Sequence, residues 1–482
     1  MSASGGAGGG GAAGAAAGVG GTWTSGNQGG TVAGRGGVGA VGGSASTNPI
    51  TGGSGGSQSS GAGSGGTSGT LTGKGEIGII WASYDPSHFQ NSAAYISKVD
   101  SYKIRRVTIV PTYYINTYAD GILTSWNGTQ KVPDTATIKG ILKEFLTRGY
   151  AVTYRPHVDP IKFAMSGTER DNVNTDPGSK DWRGKFNKFD PMSSTIKYRE
   201  VMIQPGLKLL AEAIREVGIA NIKKPVRFDL GAELMDSMLN YSANWIKLQN
   251  EMRDFLKGEY SDVADKIHLS HNFCHHMEYL TTLPHHQEYL ARIEPSGVMN
   301  TESLYLDRPG VTDATRKQIG QYIAGLDEFS ISQYMPLDIK ATSPNDTTPE
   351  QVRDALLEHE SNYINEVLIK TCGMKASEIP PFHLGEFGIG ILGIKAPNVW
   401  DRAAWEKAGK ASQIPSDADQ KKQAEVAIKG AILYMKDSRT QAKSLMLWLG
   451  GKPYDLFPLN SYSEGWSNPA AAQALSDFWN GK

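Results

Sequence analysis

The chain has 482 residues, with 48 lysines and arginines against 49 aspartates and glutamates, for a formal net charge of −1. So even a balance gives no electrostatic reason to expect a nucleic-acid or anionic-membrane partner, and no apolar stretch approaches the length of a membrane span. Cys274 and Cys372 are the two cysteines of the chain, too few for a disulfide framework.

About half of the 57 glycines precede Lys74, in a stretch of Gly, Ala, Ser and Thr. Its larger residues, such as Trp23 and Ile50, are too scattered to bury a core, so residues 1–73 are expected to be a disordered tail or linker. Its start lacks the basic and apolar regions of a secretory signal, which leaves the compartment open. Residues 74–482 have ordinary globular composition and enough length for one large domain.

From Glu76 onward, short β-branched or aromatic runs alternate with longer helical patterns, the rhythm of βα units on a parallel sheet. The expected strands are Ile77–Ala82, Arg106–Pro111, Ala151–Arg155, Val226–Leu230, Lys266–Ser270, Phe329–Gln333, Pro381–Leu384 and Ser444–Leu449. Between them, apolar residues recur at 3- and 4-residue steps in Thr137–Arg148, in Gln204–Val217, around Trp245, Leu248, Met252 and Phe255, in Pro349–Ile369 and in Asp419–Lys436. Eight such strands with helices between them predict a (β/α)8 TIM barrel. The intervals after the third and fifth strands are long and are expected to hold loop insertions around the site.

Two of these strands deliver a carboxylate in the same way. Pro225-Val226-Arg227-Phe228-Asp229-Leu230-Gly231-Ala232-Glu233 ends on Glu233, and Pro381-Phe382-His383-Leu384-Gly385-Glu386 ends on Glu386. A barrel keeps its active site at the C-terminal ends of its strands. Two carboxyl groups there, close across one cleft, are what glycoside hydrolysis needs. The competing reading pairs each glutamate with a strand-end Arg or Lys. Tyr334, after the sixth strand, is placed to hydrogen-bond a carboxylate. Trp448, on the eighth, could give a sugar ring a flat floor or pack in the core. His157 and Asp159, just beyond the third strand, can contact hydroxyl groups, although Asp159 could instead cap the next segment. Trp81 could stack on a sugar or pack. His271 and Asn272 follow the fifth strand, and His271 is expected to face the barrel mouth beside Glu233 or substrate.

Six histidines cluster at His268, His271, His275, His276, His285 and His286. His271 and His275 have the spacing of two ligands on one helix face, but no HExxH is present, and the expectation is no metal and no cofactor.

The run His383-Leu384-Gly385-Glu386-Phe387-Gly388, with Arg155-Pro156-His157-Val158-Asp159, Leu230-Gly231-Ala232-Glu233-Leu234 and Trp448, resembles the clan A glycoside hydrolases, and within them a mannanase-like family. The resemblance implies Glu386 as nucleophile and Glu233 as acid/base of a retaining mechanism, with carboxyl groups about 5–5.5 Å apart. It further implies that Glu233 is kept protonated by a dry setting or by the charge of Glu386. The clan usually carries asparagine before the acid/base, where its amide meets the sugar 2-hydroxyl. Here the residue is Ala232, so stabilisation at that hydroxyl must come from elsewhere or is weaker. The resulting expectation is a monomeric retaining hydrolase of β-linked poly- or oligosaccharide, of mannan type, with a secreted or cell-surface location fitting such a substrate. The alternatives are a non-catalytic carbohydrate-binding barrel used as a surface or adhesion module and, on the histidine cluster alone, a metal-dependent hydrolase.

Overall fold

The computed structural model describes residues 75–83, 89, 92–164, 183–274, 306–334, 346–389, 394, 409, 411–448 and 469–482. The glycine-rich stretch 1–73 lies outside the described residues, as do His275, His276, His285 and His286.

Among the described residues, eight parallel strands close into a barrel: β1 (Glu76–Ser83), β2 (Arg106–Ile115), β3 (Ala151–Tyr154), β4 (Val226–Ala232), β5 (Ile267–Phe273), β6 (Phe329–Gln333), β7 (Phe382–Phe387) and β8 (Ser444–Trp448). Each strand pairs with its sequence neighbours. Closure comes from β1, which sets Ile79 against Val107 of β2 on one edge and Glu76 against Ser444 of β8 on the other. The ladder of β3 breaks at Arg155-Pro156, as proline supplies no N–H. It resumes over His157–Pro160, which pairs with Thr112–Ile115 of β2.

The described helices are α1 (Ser92–Ser101), α2 (Thr135–Thr147), α3 (Gln204–Val217), α4 (Met235–Glu259), α5 (Asp313–Ala324), α6 (Pro349–Asn362), α7 (Asp417–Lys436) and α8 (Pro469–Trp479). Their starts carry ordinary caps: Asp134 accepts from the Thr137 amide at 2.8 Å ahead of α2, and Thr348 forms a capping box with Gln351 ahead of α6. The expected helix 349–369 is α-helical only to Asn362 and runs on as a π-helix over Tyr363–Thr371. Helices α1, α5 and α8 were not among the expected elements. In α5 the buried side chains Ile319, Tyr322 and Ile323 are outnumbered by polar ones, too sparse an apolar stripe to stand out.

Strand alternation sorts side chains into two layers. On β1, Ile77, Ile79 and Trp81 join the large core between sheet and helices, while Ile80 meets Val110 and Met446 inside the barrel. Much of the barrel interior is polar. Near its N-terminal end Glu328 lies between His268, His383 and Arg227. Burial alone would raise the Glu328 carboxyl, but hydrogen bonds from the two histidines and the charge of Arg227 hold it well below the usual range. At the opposite end the interior residues form the candidate site.

Candidate active site

Strand β7 delivers Glu386 next to Gly385, and the glycine is needed there. A Cβ at 385 would lie 2.1 Å from Asn272 Oδ1 and 2.5 Å from Ser330 Oγ, side chains that themselves hold the site. Gly385→Ala should therefore destabilise the protein by about 1–3 kcal/mol. Urea unfolding midpoints check this, and an unchanged midpoint would mean that β5 and β6 yield more easily than their packing implies.

Glu386 is buried and surrounded by donors. Its Oε1 accepts from Arg155 Nη1 at 3.1 Å and from Asn272 Nδ2 at 3.0 Å, and its Oε2 accepts from the Tyr334 hydroxyl at 2.8 Å. Arg155 Nη1 also donates to the Gly385 carbonyl at 2.9 Å, and Arg155 Nε donates to Asp229 Oδ2 at 2.5 Å. Asn272 is braced in turn, donating to Ser332 Oγ at 2.9 Å and accepting from Ser330 Oγ at 3.0 Å. Burial first and the Glu233 charge second push the Glu386 carboxyl up to about 7, against the pull of Arg155, Arg183 and the Tyr334 hydrogen bond.

Glu233 directly follows β4, with Leu234 between it and the start of α4 at Met235. Its backbone has φ 55, the left-handed region that a non-glycine residue seldom enters. Its amide donates to the Asn272 carbonyl at 2.8 Å. This sharp turn lets the chain leave the strand, enter the helix and leave the side chain buried at the barrel end. The side chain meets an arginine: Arg183, on the short 3-10 turn Arg183–Lys185, donates from Nη2 to Glu233 Oε2 at 2.7 Å and from Nη1 to Asp159 Oδ1 at 2.8 Å. The buried Glu233 carboxyl thus shares one guanidinium with Asp159. Burial, followed by the charge of Glu233, keeps Asp159 above the usual carboxylate range despite Arg183.

His157 lies with Nε2 3.7 Å from Glu386 Oε1. Burial and the charges of Arg183 and Arg155 hold it well below its ordinary value, so its ring is neutral. Neither ring nitrogen has a hydrogen-bond partner among the described residues. The ring lies parallel to Trp448, with centroids 6.3 Å apart and planes at 7°, and Trp448 is half-buried at the end of β8.

The structure thus brings Glu233, Glu386, His157, Asp159, Asn272, Tyr334 and Trp448 into one linked cluster. Two expected members are elsewhere. Trp81 points out of the barrel, stacked on Tyr95 at 4.0 Å and edge-on to Phe89. His271 also points outward. Its Nδ1 is 3.0 Å from the Tyr322 hydroxyl on α5, its ring is edge-on to Trp245 of α4, and burial lowers it to about 3. It touches neither Glu233 nor the cleft. Three residues with no role in the sequence reading prove central: Arg155, Arg183 and Asp229. Arg155 and Asp229 lie within the runs that point to the site, whereas nothing local marks Arg183. Each glutamate has an arginine partner, Arg155 just after β3 for Glu386 and Arg183 on a 3-10 turn for Glu233, and both pairs lie in one cluster at the barrel end.

Among the described residues no group of three or more His, Cys, Asp and Glu side chains is placed to hold a metal ion. No described helix is long and apolar enough to cross a membrane.

The chain is similar in structure to solved glycoside hydrolases. One is the family 113 β-mannanase of Alicyclobacillus acidocaldarius, at 15% identity and a TM-score of 0.43, covering 86% of this chain and 98% of that one. Another is the hyperthermostable endo-1,4-β-D-mannanase of Thermotoga petrophila, at 12% identity and a TM-score of 0.44, covering 85% and 100%. A third is the family 5 xyloglucanase of Paenibacillus pabuli, at 11% identity and a TM-score of 0.40, covering 84% and 99%. No protein-family model matches the chain, and no curated protein matches it in sequence.

Proposed function

We propose that this protein is a retaining glycoside hydrolase acting on β-linked poly- or oligosaccharide. The observation that carries the reading is the pair of buried carboxyl groups at the C-terminal ends of β4 and β7, joined through Asn272, whose side chain donates to Glu386 and whose carbonyl accepts from the Glu233 amide. In this reading the Glu386 carboxylate, aimed by Tyr334, Asn272 and Arg155, attacks the anomeric carbon. Glu233 gives its proton to the departing glycosidic oxygen, and the glycosyl–Glu386 ester forms as that bond breaks. Glu233, now a carboxylate, takes a proton from water, whose oxygen displaces Glu386 and restores both groups. Trp448 offers an apolar face to the sugar, and His157 an unsatisfied polar ring.

The test is release of reducing ends by the full-length protein from a panel of β-linked polysaccharides, with β-mannan first because the sequence motifs resemble a mannanase-like family. Cleavage of at least one member with retained anomeric configuration is expected. Binding without cleavage across the panel would replace this reading with that of a carbohydrate-binding barrel.

A further inference from the structure

Asp229 lies on β4, behind the cluster, and can touch substrate only through other side chains. We propose that Asp229 is a positioning residue for the reaction, fixing through Arg155 both the geometry and the charge that meet Glu386. This inference rests on Glu386 being the nucleophile of the proposed hydrolase.

Arg155 is committed on every side. Its Nε donates to Asp229, Nη1 to the Gly385 carbonyl and Glu386, and Nη2 to Ser330 Oγ at 3.3 Å. A guanidinium is planar, so holding Nε against Asp229 sets the angle at which Nη1 reaches Glu386. Asp229 is fully buried, and its second oxygen, Oδ1, has no hydrogen-bond partner among the described residues. Among the described residues its side-chain hydrogen bond therefore goes to Arg155 alone. Against its burial, the charges of Asp229 and then Glu386 hold the Arg155 guanidinium further in its charged form. An anion behind Arg155 offsets part of the positive charge that Glu386 meets, and in a dry interior that offset is strongly felt.

The other groups facing Glu386 leave this role unfilled. Tyr334 from the end of β6 and Asn272 from β5 donate to it directly. His157, beyond β3, is neutral. Glu233 and Arg183 act on it by charge, while Asp159 reaches the site through Arg183. Arg227, also on β4, is a further cation that feels Asp229, and it pairs with Glu328 at 3.7 Å.

Asp229→Asn keeps the shape and the acceptor for Arg155 Nε but removes the charge. Two readouts follow it: the acid limb of kcat/KM against pH on an aryl β-glycoside that the wild type cleaves, and the substrate-free titration of the Glu386 carboxyl by carbon-13 NMR in glutamate-labelled full-length protein. The Glu386→Gln spectrum identifies the resonance. Both midpoints should move down by about one pH unit, whereas a purely structural role would leave them in place. Folded Asp229→Asn protein with unmoved midpoints overturns the inference. If that variant does not fold, Asp229→Glu, which keeps the charge but lengthens the arm, serves instead. It should lower kcat at least about tenfold with the carboxyl midpoint retained, and unchanged kcat would be the contrary result. The NMR titration needs no substrate, so a wild type that cleaves no glycoside would defeat the proposed function without deciding whether Asp229 sets the state of Glu386.

Discussion

Alanine at Glu386 is expected to leave no measurable turnover on any glycoside, while alanine at Glu233 leaves activity that depends on the leaving group. Without Glu386 no glycosyl–enzyme ester can form. Without Glu233 a poor leaving group departs unprotonated, at a loss of about 10²–10⁴-fold. An activated aryl glycoside needs no proton in that step, and azide can replace activated water in the next. Glu233→Ala with azide should then yield a glycosyl azide of retained configuration. Glu386→Ala with azide should yield only the inverted product, if any. Product stereochemistry checks the assignment, and the opposite pattern would exchange the two roles.

Replacing Glu386 by glutamine should stabilise the fold even as it removes activity. Folding raises this carboxyl from an ordinary 4.5 to about 7, so between those values the native state holds a proton that the unfolded chain has released. The stability this provides is complete below about 4.5 and is lost as the pH climbs through 7, a swing of about 3 kcal/mol. Glutamine is neutral throughout, its oxygen can still accept from Arg155 and Asn272, and its amide can turn toward the Tyr334 oxygen. The gain in melting temperature of Glu386→Gln over wild type should therefore be small near pH 4.5 and largest near pH 8. A gain that did not grow across that window would mean that Glu386 stays ionised in the resting protein at neutral pH.

The barrel was legible because its strands are short β-branched or aromatic runs set at regular intervals between longer amphipathic segments. Periodicity alone carried Phe329–Gln333 and Gln204–Val217 to their observed bounds. The candidate site was legible where a side chain of the cluster sits at a strand end, as for Glu233, Glu386 and Tyr334. It was less so where side-chain direction decides. His271 and Asn272 are adjacent on β5 and so point to opposite faces; once Asn272 is inside, His271 must be outside. Trp81 and Ile80 divide in the same way on β1. Arg183 was beyond reach for another reason. It lies on a short 3-10 turn, 50 residues before Glu233, and no local pattern marks which distant carboxylate an arginine will meet. Asp229 looked like one more polar residue within a strand until its partner across β3 was known.

The left-handed backbone at Glu233 has a consequence for how this chain can drift. Glycine occupies that conformation freely and asparagine with little difficulty, whereas a long unbranched side chain is disfavoured there. Local conformational preference and the demand for a carboxyl group thus pull in opposite directions at one codon. Relatives that had given up the reaction would be expected to show glycine or asparagine at this position before the supporting residues around it changed. Glutamate here, in a relative otherwise much diverged, would be a sign that the chemistry is still in use.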